Sequence, residues 1–186
     1  MRDQIKQVEI CPAGPSDIER IIAVDKAAGQ MFAGTGLLPD EELEDHVPGH
    51  VLADALRAKL LDVARLEDGN VVGFTLVSVR PGTLYLDQIS VHPEAGKRGI
   101  GTQLMRNIEQ KAIELDLGEI TLSTFRSVPW NAPFYASLGY KPIKRSELLE
   151  FMLEIEEAQR RVMDVTKRVF MRKRVRKALF RGRTSK

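Results

Sequence analysis

The sequence predicts a mixed α+β domain, and three observations carry that reading. Three β-patterned runs, VARLE, VVGFTLVSV and LYLDQISV, follow one another through short turn signals, as in an antiparallel meander. A glycine-rich loop then leads into an amphipathic helical stretch and another strand. A strand–helix–strand unit of that length closes with a right-handed crossover onto a parallel pair. Helical periodicity precedes the meander and recurs after the parallel pair, so helices flank the sheet.

The elements follow in order. VEIC, residues 8–11, reads as a first strand. Ser16 with Glu19 three residues on forms a capping-box pattern that opens a helix, with Ile18, Ile21, Ile22, Ala28 and Phe32 at helical spacing and Asp25 as the polar interruption. GTGLLPDEELEDHVPG is irregular and acidic, and a second helix is predicted over 50–61. Asp68-Gly69-Asn70 joins the first two runs of the meander, because Gly and Asn accept the positive φ of a tight turn. Pro81-Gly82 makes the next turn, before the strand 84–91. A helix over 102–115 carries Leu104, Ile108, Ala112 and Leu115 as its apolar stripe, and Gly118 ends it. A strand at 119–124, a short helix closed by Gly139, a strand, an amphipathic helix over 146–163 and a final strand KRVFMRK complete the order. Residues 1–173 are expected to form one domain and 174–186 a basic tail, with no repeat or linker inside.

Composition narrows the function classes. The chain has 186 residues, enough for one domain with a proper core, and its 43% hydrophobic and 29% charged content is ordinary. No apolar run approaches the roughly 20 residues that span a bilayer, so no membrane partner is expected. Cys11 has no partner for an internal disulfide, and MRDQIKQVEI is charged where a signal peptide needs an apolar stretch; both point to a cytoplasmic protein. The net charge of +2 hides an asymmetry: residues 172–186 hold eight Lys/Arg and no acid, leaving the rest at −6. An acidic body points away from a nucleic-acid partner, and the tail reads as a solvated terminus.

The loop HPEAGKRGIGTQL admits several readings. A P-loop requires GxxxxGK[ST], but Gly101 is followed directly by Thr102. A Rossmann turn from Gly99 places Leu104 where its third glycine belongs, and the preceding meander is not a nucleotide fold. A pyrophosphate cradle fits the residue order: Gly96, Gly99 and Gly101 let backbone N–H groups converge, next to a helix N-terminus and the cations Lys97 and Arg98. The remaining alternative is a turn that only starts a helix.

LDQISVHPEAGKRGIGTQLM, followed about thirty residues later by NAPFYASLGY, resembles the GNAT superfamily of acyl-CoA N-acyltransferases. The resemblance spans the chain from its first strand to KRVFMRK. It implies a central, mostly antiparallel sheet that splays open at a parallel strand pair, flanked by helices. The family signature [QR]xxGxG falls on the window from Gly96 to Gly101, with Gly96 where the family has Gln or Arg. Backbone amides are then the main grip on the phosphates.

By that resemblance, acetyl-CoA is the co-substrate and lies between the strands LYLDQISV and EITLST, with no metal. Main-chain groups of Ile89, Ser90 and Val91 would pair with the pantetheine arm, and amides of Gly96, Lys97, Arg98, Gly99, Ile100, Gly101 and Thr102 would take the pyrophosphate. Asn131, matching the family's Asn position, would bond the pantetheine amides; Tyr135, matching its Tyr, would be the general acid for the leaving thiolate. The alternatives are a helix cap for Asn131 and core packing for Tyr135. The Val91 amide would face the developing oxyanion. Asp87, on the same strand, is the candidate base, directly or through water, or else a solvated carboxylate; His92 lies in the loop.

The acceptor is the least legible part. The acidic segment with Asp40, Glu41, Glu42, Glu44 and Asp45 either draws a cationic small-molecule amine or is an ordinary exposed helix start. Arg126 and Trp130 lie beside the expected site. The leading expectation is an N-acetyltransferase acting on a small primary amine by direct attack in a ternary complex. The alternatives are a protein Lys or N-terminal acetyltransferase, and a non-catalytic acyl-CoA-binding or nucleic-acid-binding module. The helix over 146–163 either covers the sheet or faces a second copy in a homodimer.

Overall fold

In the computed structural model, which describes residues 8–176, the elements run β1 (Val8–Pro12), α1 (Ile18–Gly29), α2 (Gly49–Arg57), β2 (Leu61–Leu66), β3 (Val71–Arg80), β4 (Thr83–Val91), α3 (Ile100–Glu114), β5 (Glu119–Phe125), α4 (Ala132–Ser137), β6 (Lys141–Pro142), α5 (Glu150–Gln159) and β7 (Arg168–Arg174). Among these residues seven strands form one sheet in the order β1-β2-β3-β4-β5-β7-β6. All neighbours are antiparallel except β4 and β5. The last strand inserts between β5 and β6, as the fold class expected from the sequence allows. Residues 177–186, most of the expected basic tail, lie outside the described residues; β7 runs through Arg174, and Val175 is buried.

The two faces of the sheet have different covers. On one, Met105, Ile108 and Ala112 of α3 pack with Tyr135 against Leu84, Leu86, Ile120, Leu122, Val169 and Met171. On the other, α1 and α2 pack Ile21, Val24 and Leu52 over Val63, Phe74 and Leu76, and α5 packs Phe151 and Met152 over Tyr85 and Phe170. Burying each of these large side chains stabilises the fold by about 1.5–3 kcal/mol.

Several boundaries differ from the sequence expectation, each for a local reason. Pro15 starts a short 3₁₀ turn ahead of α1, so Asp17, not Ser16 with Glu19, makes the cap; its carboxylate accepts from the Gly14 amide at 2.8 Å and from Arg65 at 2.7 Å. α2 stops at Arg57, because Lys59 takes a left-handed φ of 59° and the Leu60 amide bonds back to Ala55 in a Schellman closure. α3 begins at Ile100, two residues early, and is closed by Asp116 (φ 59°) rather than Gly118. Leu115 consequently lies beyond its end, 45% exposed, while Ile100 and Met105 join the buried face. α5 is shorter than 146–163: Leu148 and Leu149 are extended ahead of it, and Leu149, Leu153 and Val162 remain exposed.

Candidate active site

The site begins with a mismatch between the two sides of β4. Toward β3 the strand stays paired through Val91, against Gly73. Toward β5 it is paired only over Leu84, Tyr85 and Leu86, against Ile120, Thr121 and Leu122. Beyond that point β4 and β5 part, leaving the β5-facing edge of Ile89, Ser90 and Val91 without a strand partner among the described residues. A bulge lies at the divergence: Leu76 faces Gln88 and Val77 faces Leu86, so Asp87 is the extra residue. Bulges bend and twist a strand, which accounts for the parting. An open edge of main-chain N–H and C=O groups accepts an extended amide chain as an added strand.

Ser90 is tied down from the α1 face. Its hydroxyl donates to Asp25 Oδ1 at 2.7 Å, as does the Gln88 amide at 2.7 Å, while Oδ2 of Asp25 accepts the Val47 amide at 3.0 Å. The polar interruption in the α1 pattern is thus a buried junction between α1, the open strand and the segment entering α2. Sequence periodicity registered Asp25 but not this role.

The glycine loop ends the same strand. Lys97 (φ 59°) and Gly99 (φ 76°) are both left-handed, so the chain coils tightly into α3. The first amide bonded within this helix end is Gln103, to Gly99 at 3.1 Å, so those of Ile100, Gly101 and Thr102 lie in the unpaired first turn. Gly96 is constrained differently: a Cβ there would meet the Pro93 carbonyl at 3.0 Å. A Cβ on Gly99 would meet nothing within 4 Å, so the space over the turn is open. The side chains of Lys97 and Arg98 are exposed. Free first-turn amides, the helix dipole and two cations fit a pyrophosphate, and the open β4 edge fits the pantetheine arm that leads to it.

Tyr135 sits on α4 with 6% of its surface exposed, its ring 5.2 Å from that of Phe134 and 5.9 Å from that of Tyr140. Burial raises its phenol above the usual value, so it keeps its proton at neutral pH. Burial does the same to Tyr85, on the opposite face of the sheet at the divergence. Asn131 stands at the N-terminus of α4, and its side-chain oxygen accepts from the Thr124 hydroxyl and from the Phe125 amide, the latter at 3.4 Å. It therefore ties α4 to the end of β5 without capping its own helix. Asp87 reaches the surface, yet burial around its carboxyl raises its pKa, against a hydrogen bond with Ser78 and the charge of Arg80.

The residues expected on the acceptor side lie in separate places. Arg168, read from the sequence only as a strand residue, donates to Ser123 through Nε and Nη2, at 3.1 Å to the hydroxyl and 2.9 Å to the carbonyl. The signal available was its alternation with Phe170 on an otherwise buried face. A cavity of about 340 Å³ beside it is lined by Arg126, Arg145, Arg160 and Arg168 and by one acid, Glu156. Asp40, Glu41, Glu42, Glu44 and Asp45 are absent from that lining and mostly exposed. Trp130, 38% exposed, stacks edge-on against Phe32 at 5.9 Å. His92 has Nδ1 4.0 Å from Glu94 within the loop. No helix among the described residues is long and apolar enough to cross a membrane.

A sheet opened between two parallel strands, with an amide-lined loop at one end of the opening, is the architecture that the resemblance to the GNAT superfamily implies. Residues 33–140 match the acetyltransferase (GNAT) family, and the chain belongs to that family. GNAT enzymes use acetyl-CoA, which is the co-substrate here. Solved structures share the fold. The PaiA N-acetyltransferase of Thermoplasma acidophilum, in complex with coenzyme A, aligns with a TM-score of 0.70 at 18% identity, over 90% of this chain and 99% of its own. The N-acetylglutamate synthase of Neisseria gonorrhoeae, complexed with coenzyme A and N-acetyl-glutamate, gives 0.70 and 18% over 91% of this chain and 35% of its own. The ribosomal-protein-S18-alanine N-acetyltransferase of Escherichia coli gives 0.64 and 13%, over 97% and 99%.

Proposed function

We propose that this chain transfers the acetyl group of acetyl-CoA to a primary amine of a small molecule, by direct attack within a ternary complex. The observation that carries the reading is the opening between β4 and β5, with the glycine loop at one end and Tyr135 on the helix anchored to β5. When bound, acetyl-CoA supplies an activated acetyl thioester. Main-chain groups of Ile89, Ser90 and Val91 hold its pantetheine arm, and the amides of residues 97–102 hold its pyrophosphate, that of Gly96 being engaged by the Pro93 carbonyl at 3.0 Å. Asn131 retains its side-chain NH₂ as a donor for the arm, since its oxygen is engaged by β5.

Tyr135 gives its phenolic proton to the leaving sulfur as the C–S bond breaks and the C–N bond forms, and recovers a proton from solvent. Asp87 takes the proton that the amine releases, directly or through water. Burial makes the Asp87 carboxylate more basic than an exposed one, and the Tyr135 phenol holds its proton at neutral pH, as the donor must. The cavity of about 340 Å³ beside Arg168 has the volume of a small-molecule pocket and is the space assigned to the acceptor. One structural neighbour is itself complexed with a small acetylated product, N-acetyl-glutamate.

Isothermal titration with CoA and a thiol-release screen across amine classes test the proposal. Micromolar CoA binding with release dependent on one class of small amine supports it. Absence of CoA binding at millimolar concentration, or release only with polypeptide amines, refutes it.

A further inference from the structure

Among the described residues, Arg168 is a charge without a counter-charge. Besides its bonds to Ser123, Nη1 lies 3.5 Å from the Met163 sulfur, and the guanidinium lies over the Phe125 ring at 4.6 Å from its centroid. None of these partners is a carboxylate, and the ion pairs recorded among the described residues do not include Arg168. A guanidinium stays ionised in a protein, and taking it out of water is costly unless an anion comes with it. Arg168 is half-buried, its burial weakens its hold on its proton, and its neighbours Ser123, Met163 and Phe125 supply no anion.

The adjoining cavity carries the same sign. Glu156 is already shared between Arg145 at 2.5 Å and Arg160 at 3.2 Å, and Arg126 adds a further cation to the lining. Gln159 of α5 accepts from the Ser123 hydroxyl at 3.2 Å, so α5 holds the floor on which Arg168 rests. Ser123 is also the first residue of β5 past its parallel pairing with β4, which puts the unpaired guanidinium beside the opening. A polyamine or aminoglycoside entering here would meet four arginines; a carboxylate would meet a planar fork of donors matched to it.

We propose that the acceptor amine also carries a carboxylate, as an amino acid does, and that Arg168 binds that carboxylate and selects the acceptor. This rests on the N-acetyltransferase reading above and replaces a cationic acceptor with an amino-carboxylate.

The test uses the full chain and amines matched in pairs: L-amino acids against their primary amides and their decarboxylated amines. The acids that are turned over are expected to show KM values at least about 10-fold below the matched neutral forms. Arg168→Gln raises that KM about 10- to 100-fold, the range of a hydrogen-bonded charge pair, with the KM for acetyl-CoA unchanged. Arg168→Lys recovers part of the loss, and its circular dichroism melt guards against misfolding. Equal use of acids and neutral forms by the unmodified protein overturns the proposal, as does an equal effect of Arg168→Gln on both.

If CoA binds but no amine releases thiol, equilibrium binding decides. N-acetylated amino acids and their amides are titrated into the CoA complex: binding of the acids alone supports the proposal, and binding of neither, or of both alike, overturns it. Failure to bind CoA at all is a separate reading in the same titration. It removes the acetyltransferase assignment, and this inference with it.

Discussion

The Ser90 hydroxyl donates to Asp25 Oδ1 at 2.7 Å, across the interface between α1 and the open strand β4. Asp25 is 4% exposed and accepts from Gln88 and Val47 as well, so one carboxylate fixes three segments. Replacing it by Ala leaves the Ser90 hydroxyl and the Val47 amide without their acceptor, while Gln88 keeps the Ser90 hydroxyl oxygen at 3.3 Å. Asp25→Ala is expected to cost about 3–5 kcal/mol in urea unfolding, and Ser90→Ala only about 1 kcal/mol. Equal, small losses in the two variants would mean that the junction is not a buried network.

Tyr135→Phe removes one oxygen from a side chain whose ring is held by Phe134 and Tyr140. If the phenol is the proton donor, kcat falls about 10²- to 10⁴-fold while the Kd for CoA and the melting temperature stay nearly constant. Steady-state kinetics beside calorimetry make the comparison. A fully active variant assigns Tyr135 to packing alone.

The meander was legible because its apolar runs are bounded by Asp68-Gly69-Asn70 and Pro81-Gly82, and Gly69 and Gly82 do take φ of 83° and 76°. Gly139 likewise closes α4 at φ 89°. The caps at Lys59 and Asp116 were not legible, since ordinary residues take the left-handed position there because tertiary packing outweighs their preference. The amphipathic pattern after Ser146 overran α5, because periodicity records which face could be buried and not how far the sheet extends beneath it. The candidate residues on β4, the glycine loop and α4 were named from the sequence by resemblance, but the contacts around them were hidden for a similar reason. That Asp87 is a bulge residue depends on the register with β3, and that Arg168 lacks an acid depends on contacts with Ser123 and Phe125, distant in sequence.

Asp87 gives a pH signature with a definite sign. Burial disfavours its charged form, so its folded pKa lies above the ordinary carboxylate value of about 3.9. As the base it is active only when ionised, so kcat/KM falls on acidification at a pH above that value, and Asp87→Asn lowers kcat/KM and abolishes the limb. The linkage runs the other way: a raised pKa stabilises the fold below the unfolded value, and that stabilisation is lost as pH rises through the folded one. Asp87→Asn is therefore expected to raise the melting temperature at pH 7 and leave it nearly unchanged at pH 3. A variant that keeps the acid limb, or is less stable at pH 7, contradicts the assignment.

Gly99 separates the loop's conformation from its use. Its φ of 76° disfavours any side chain, and a Cβ would project where no atom lies within 4 Å. Gly99→Ala is therefore expected to cost only about 1 kcal/mol of stability, from the left-handed backbone alone. If the open space beside Gly99 is where the pyrophosphate lies, the same methyl occupies it, and CoA affinity is expected to fall at least about 10-fold, the loss of roughly one charge-assisted hydrogen bond to phosphate. Gly69 sits at φ 83° with equally open space in the β2–β3 turn, and it provides the control. Gly69→Ala should match the stability loss and leave CoA affinity intact. If both variants bind CoA as the unmodified protein does, the loop starts a helix and holds nothing.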